Sequence, residues 1–164
     1  MSDDRAGGGT AALARQFEAK AREASAVLAG LSEGDWKKTT QAEGWTVGVT
    51  AHHLAGGLEA VAGIVTTLAA GQSIPNFTTG MLEQMNAGHA KDHAGCTKAE
   101  TMALFDKGAA TATAVLRGLR DDQLGRSGTV FADAPPMTVE QLIARGLLGH
   151  IDDHLGSIKK TLGR

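Results

Sequence analysis

Leu147-Leu148-Gly149-His150-Ile151-Asp152-Asp153-His154-Leu155-Gly156-Ser157-Ile158 sets two histidines four residues apart where a closing helix would place leucines facing its core. Helical steps of three and four predict an inward stripe of Ile143, Leu147, His150, His154 and Ile158, because residues so spaced share one face. Two imidazoles on a buried seam cost free energy unless partners satisfy them. One divalent cation does so for both, since neutral imidazoles one helical turn apart reach a common ion. The rest of the chain must then supply a third ligand.

Working outward, the same periodicity recurs three more times. Residues 1–9, with Gly7-Gly8-Gly9, read as a disordered leader, and residues 10–164 as one domain. Thr10 is the expected cap of a first helix whose apolar positions Leu13, Phe17, Ala24, Leu28 and Leu31 follow helical spacing and which ends near Gly30. Ser32 to Trp36 reads as a short turn. Thr46 caps a second helix with Leu54, Leu58, Val61, Val65 and Leu68 on one face, stopping around Gly71. Thr78 or Thr79 opens a shorter segment that breaks near Gly95, and Thr97 with Glu100 forms a capping box for a third long helix through Leu119. A polar loop from Arg120 to Pro136 follows, with Val130 and Phe131 as a possible flap. Thr138 with Gln141 is a second capping box, and the last helix runs to about Leu162. No stretch alternates with period two long enough to make a strand. The fold class is therefore all-α, a four-helix bundle.

Composition narrows the partners. At 164 residues the chain is long enough to bury a core. A formal charge of −2, spread as mixed signs, gives no basic stripe for nucleic acid and no polybasic patch for a membrane surface. The longest apolar stretch, Leu54 to Ala70, is interrupted by Glu59, Thr66, Thr67 and three glycines, too polar to span a bilayer. The lone Cys96 cannot close an internal disulfide, which with no signal peptide evident fits a reducing, cytoplasmic setting.

Four histidines compete for the third place. With Leu54 at the centre of the second helix's apolar face, His52 points almost directly away and reads as solvated. His53 falls at the flank of the apolar arc, on a line with Gly57, Ala60 and Ile64, where small side chains leave room for a ligand at the core's edge. His89 and His93 are a second pair four apart, but with few large apolar neighbours they read as partly exposed. They stay open as metal ligands, while His89 with Asn86 is alternatively placed at the mouth of the site. A lone histidine on an apolar face is more often hydrogen-bonded core or surface than a ligand. Three with coherent geometry are harder to dismiss.

Other chemistries lack their residues. No glutamate follows His150 directly, so the zinc-protease pattern fails. Gly7-Gly8-Gly9 is not a phosphate cradle, and Cys96 beside Thr97 has no assigned base, so a structural thiol is the simpler reading. Asp152 and Asp153 are either orienting partners for an imidazole or solvated helix-face charge. No catalytic residue is assigned.

Gly44-Trp45-Thr46-Val47, the His53-Leu54 step eight residues after the Trp, and His150-xxx-His154-Leu155-Gly156-Ser157-Ile158 together resemble the DinB-like superfamily. Within it they are most similar to the branch containing the N-terminal domain of mycothiol-dependent maleylpyruvate isomerase. The resemblance favours His53 over His52 and matches Asn86 to an asparagine of that branch's third helix. It implies a four-helix bundle with a three-histidine metal site at His53, His150 and His154, and Asn86 with His89 as substrate-binding residues. It also implies homodimers, and zinc foremost as the cofactor, with nickel, iron or manganese as alternatives. Some members use zinc to activate a low-molecular-weight thiol for transfer or isomerisation, so a small-molecule thiol or electrophile is the expected partner. Three uncharged ligands leave the ion its full charge and open positions, which suits a thiol S-transferase or isomerase. The competing expectations are a non-enzymatic metal- or ligand-binding stress-response bundle and a metal-dependent hydrolase. The chain departs from the two-domain isomerase in carrying no second domain, which tells against maleylpyruvate itself as substrate.

Overall fold

The computed structural model describes residues 9–164, so the leader expected over residues 1–9 lies outside it except for Gly9. Four long helical rods make the bundle: α1 (Thr10–Ala29), α3 (Val47–Ala69), α5 (Lys98–Gly118), and a continuous last rod. That rod consists of α6 (Val139–Leu142), a π-helical segment (Ile143–Leu148) and α7 (Gly149–Leu162). Two shorter helices, α2 (Glu33–Trp36) and α4 (Thr79–Asp92), pack outside it. α3 lies against α5 and the last rod, and α1 also lies against both of these. Helices α1 and α3 therefore stand at opposite corners, and α3 shares one long edge with α7.

The caps are those the sequence announces. Thr46, Thr78, Thr97 and Thr138 each accept a backbone N–H of the first turn, and the boxes with Glu100 and Gln141 both close. Ser32 to Trp36 is a helical turn with its own box, Ser32 with Asp35. Thr10 is a correction. It is the first helical residue, not the cap, and its N–H and hydroxyl donate to Asp121 Oδ1, both at 2.9 Å, so a distant carboxylate does the capping. The loop before Pro136 also holds more structure than expected, with a 3₁₀ turn (Asp121–Gln123) and a two-residue antiparallel pair, β1 (Ser127–Gly128) with β2 (Met137–Thr138). Val130 is buried there, and Phe131 stacks on Phe77.

Phe17, Leu28, Leu54, Leu58, Phe105, Leu116, Ile151 and Ile158 fill the core and are almost wholly removed from water. The stripe expected on the last rod needs correcting. Ile143, Leu147 and Ile158 of that stripe are buried, but between them the buried positions are Leu148, Ile151 and Leu155, and His150 and His154 lie one residue to the side. The cause is the π segment, whose wider turn shifts the phase of every residue after it. The histidines stand on the edge facing α3, beside the seam.

Glycine permits one close approach on α3's outer side. Trp36 lies flat on Gly48, where a Cβ would overlap its indole, and its Nε1 donates to the Cys96 carbonyl at 3.0 Å. The Cys96 thiol in turn donates to the Gly48 carbonyl at 3.4 Å, and burial pushes its pKa up. This thiol is a packing element. Helix propensity alone would make Gly48→Ala stabilising by about 1 kcal/mol. Displacement of Trp36 should instead destabilise it by about 1–3 kcal/mol; a urea midpoint at or above that of the unmodified chain would contradict this packing.

Candidate metal centre

The Gly44-Trp45-Thr46-Val47 opening builds one wall. Gly44 turns the chain at φ 72°, Thr39 bridges to Thr46, and Thr46 starts α3. Trp45 is thereby left with its ring edge-on to His53, centroids 5.3 Å apart. On α3, His52 and His53 are consecutive and so point about 100° apart around the helix. His53 turns toward α7 and His52 toward α4.

One nitrogen each of His53, His150 and His154 lies within 4.8 Å of the others, and each ring is half-buried. The His53 ring centroid is 5.2 Å from that of His150 and 4.7 Å from that of His154. Gly57 makes room for this, since a Cβ there would overlap His150 Nε2. The bare stretch of α3 noted beside His53 thus serves the ring from the opposite helix. His150 Nε2 sits 3.2 Å from the Leu54 carbonyl, which can only accept, so that nitrogen carries the hydrogen and Nδ1 the lone pair.

His154 is oriented by a residue that sequence reading missed. Its Nδ1 lies 2.9 Å from Glu43 Oε1, and Ser157 donates to Glu43 Oε2 at 2.5 Å. Burial works to raise the Glu43 pKa, but hydrogen bonds from Ser157, His154 and Thr40 outweigh it and leave it below the usual value. An ionised carboxylate accepts, so Nδ1 donates, which leaves Nε2 as the nitrogen free to face a cation. A carboxylate behind a ligating imidazole fixes tautomer and ring orientation. Asp152 and Asp153 do not fill that place: Asp152 pairs with Lys20 at 2.6 Å, and both are exposed. No spacing rule links Glu43 to His154, 111 residues away.

Burial first, then repulsion from neighbouring imidazoles, lowers His53 to about 3 and His150 to about 4. Both are neutral at pH 7, the form that binds metal. Oriented outer nitrogens, neutral rings and the Gly57 gap together fit a divalent cation. The triad opens into a cleft of about 410 Å3, also lined by Gly56, Gly57, Ala60, Leu82, Met85, Asn86 and His89. Asn86 and His89 therefore share a cavity with the three histidines.

His52 is a correction. It is 8 % exposed instead of solvated, because α4 and its following turn cover the side of α3 away from the core. It meets His89 and His93, and one nitrogen of each of these three also lies within 4.8 Å of the others. The signal was present in Val47-Gly48-Val49-Thr50-Ala51, an uncharged run in which every residue is buried. A helix apolar all round is covered all round.

Three histidines from two adjoining rods at the floor of a cleft make this a four-helix bundle of the histidine-site class. The family model for the mycothiol maleylpyruvate isomerase N-terminal domain matches residues 17–148, and the chain belongs to that DinB-like family. The match ends before His150 and His154, which the coordinates alone bring to His53. Among solved structures, the fold is similar to that of YfiT from Bacillus subtilis, described as a probable metal-dependent hydrolase with an unusual four-helix bundle topology. That similarity has a TM-score of 0.73 at 17% identity, covering 99% of this chain and 90% of YfiT. No curated protein sequence matches the chain.

Two outcomes follow from these contacts. Glu43→Gln should weaken metal binding at this centre about 10- to 100-fold with helical circular dichroism unchanged; undiminished affinity would remove Glu43 from the centre. The metal-free protein should also lose stability as pH falls from about 6.5 toward 4, because the unfolded chain takes up protons that the folded His53 and His150 refuse. Urea midpoints across that range should fall less steeply for His150→Gln, and equal slopes would contradict the buried neutral imidazole.

Proposed function

We propose that this protein holds one divalent cation on His53, His150 and His154 and uses it to activate a low-molecular-weight thiol for transfer to, or isomerisation of, a small electrophile. The observation that carries the reading is the convergence of three imidazoles, two of them held neutral, on an open cleft that no carboxylate lines among the described residues. When bound, the cation, with zinc foremost and nickel, iron or manganese also suited to imidazole, would supply the positive charge that lowers the pKa of a thiol or water at an open position.

The chain's own residues do the positioning. Glu43 and the Leu54 carbonyl hold two of the rings by their outer nitrogens. Gly56, Gly57 and Ala60 keep the α3 wall low, so a thiol can approach, while Leu82 and Met85 give an apolar side for the carbon skeleton of an acceptor. Asn86 and His89 offer an amide and an imidazole to the acceptor's polar groups. They are the substrate-binding residues of this reading.

A second reading, metal-dependent hydrolysis, is favoured by the likeness to YfiT. It requires a base to take the proton of the attacking water, and among the described residues lining the cleft His89 is the one titratable group outside the triad. A thiol places a smaller demand on the protein, since its pKa starts near 8.5 against 15.7 for water. That difference favours the thiol.

The metal-loaded chain should consume an electrophilic acceptor only when a thiol such as mycothiol or glutathione is present, and the triple variant His53→Ala, His150→Ala, His154→Ala should lose that activity with one metal equivalent. Turnover of ester or amide substrates without thiol would establish the hydrolase instead. Chelation should abolish activity and leave the helical signal of the bundle, whose core lies elsewhere; collapse of the fold on chelation would make the metal structural.

A further inference from the structure

A cluster on the other side of α3 shares only His89 with that reading; His52 and His93 have no part in it. His52 belongs to α3, His89 to α4, and His93 is the residue that ends α4. We propose that His52, His89 and His93 form a second binding site for a divalent d-block cation of the zinc, cobalt or nickel kind, next to the first. Nδ1 of His52 and Nε2 of His89 are 3.0 Å apart. Two nitrogens sharing a tetrahedral ion at about 2.0–2.1 Å from each are about 3.3 Å apart, so little movement separates the two arrangements. The His93 ring lies 4.1 Å from that of His52 and 4.5 Å from that of His89, centroid to centroid. All three donors are nitrogen, which suits imidazole-seeking cations and not calcium or magnesium, whose ligands are oxygen.

One of His52 and His89 donates to the other, while the half-buried His93 ring stacks on that of His52 and tilts against that of His89. A shared cation would bind all three. The Glu100 carboxylate, engaged by the Thr97 N–H at 3.1 Å, lies close enough to His52 and His93 to favour positive charge there. His52 is buried within α3 and cannot swing to solvent, so one ligand is fixed in advance. His89 also lines the cleft, its ring 5.7 Å from that of His53. A cation on this cluster therefore adds positive charge at the mouth of the first site.

Titration with Co2+, followed by visible absorption and elemental analysis, separates the two sites. The triple variant His53→Ala, His150→Ala, His154→Ala isolates the second cluster and should still take up one equivalent, with further His93→Ala weakening that uptake at least tenfold. In the otherwise unmodified chain, His93→Gln should reduce uptake from two equivalents to one at unchanged circular dichroism. A folded triple variant that binds no Co2+, or a His93→Gln chain that binds as much as the unmodified one, overturns the second site. Uptake of a single equivalent that the triple variant keeps and His93→Gln loses would uphold the second site and sink the first.

Discussion

The meeting of α7 with α3 across Gly57 governs this molecule. An imidazole from one rod rests on the bare backbone of the other, its Nε2 against the Leu54 carbonyl, at a point where any side chain larger than hydrogen would push it away. This contact fixes how near the two helices come, and so how near His150 and His154 come to His53. It also explains why the site stands at the bundle's edge. The core seam of Ile151, Leu155 and Ile158 continues undisturbed beside it, so the packing that stabilises the fold and the polar groups that carry the chemistry occupy neighbouring faces of the same helix.

Electrostatics then sets what these rings can do. Desolvation and mutual repulsion keep His53 and His150 uncharged far below neutral pH, so their nitrogens would meet a cation with lone pairs and not with protons. The single buried carboxylate nearby, Glu43, is spent on orienting His154 and bonding Ser157. A cation held here would keep its charge to act on a ligand from the cleft.

Much of this was legible in the chain. The spacing of His150 and His154, the small residues near His53 and the threonine caps are local patterns, and local patterns survive folding because they depend on helical geometry alone. The losses have physical causes. A π turn at Ile143–Leu148 changes the helical phase with no proline to mark it, so a regular wheel puts both histidines on the seam itself. A helical wheel sends His52 to solvent because it ranks faces by one partner, whereas this part of α3 has neighbours on two sides. Glu43 comes from a loop more than a hundred residues away, a pairing that only tertiary structure creates.

Anomalous diffraction from crystals of the protein purified with its metal tests the central claim most directly. The account predicts a strong peak about 2.0–2.1 Å from one ring nitrogen each of His53, His150 and His154, with Glu43 still on the far nitrogen of His154. No peak at that point, with the three rings bonded separately to ordinary polar neighbours, would contradict it.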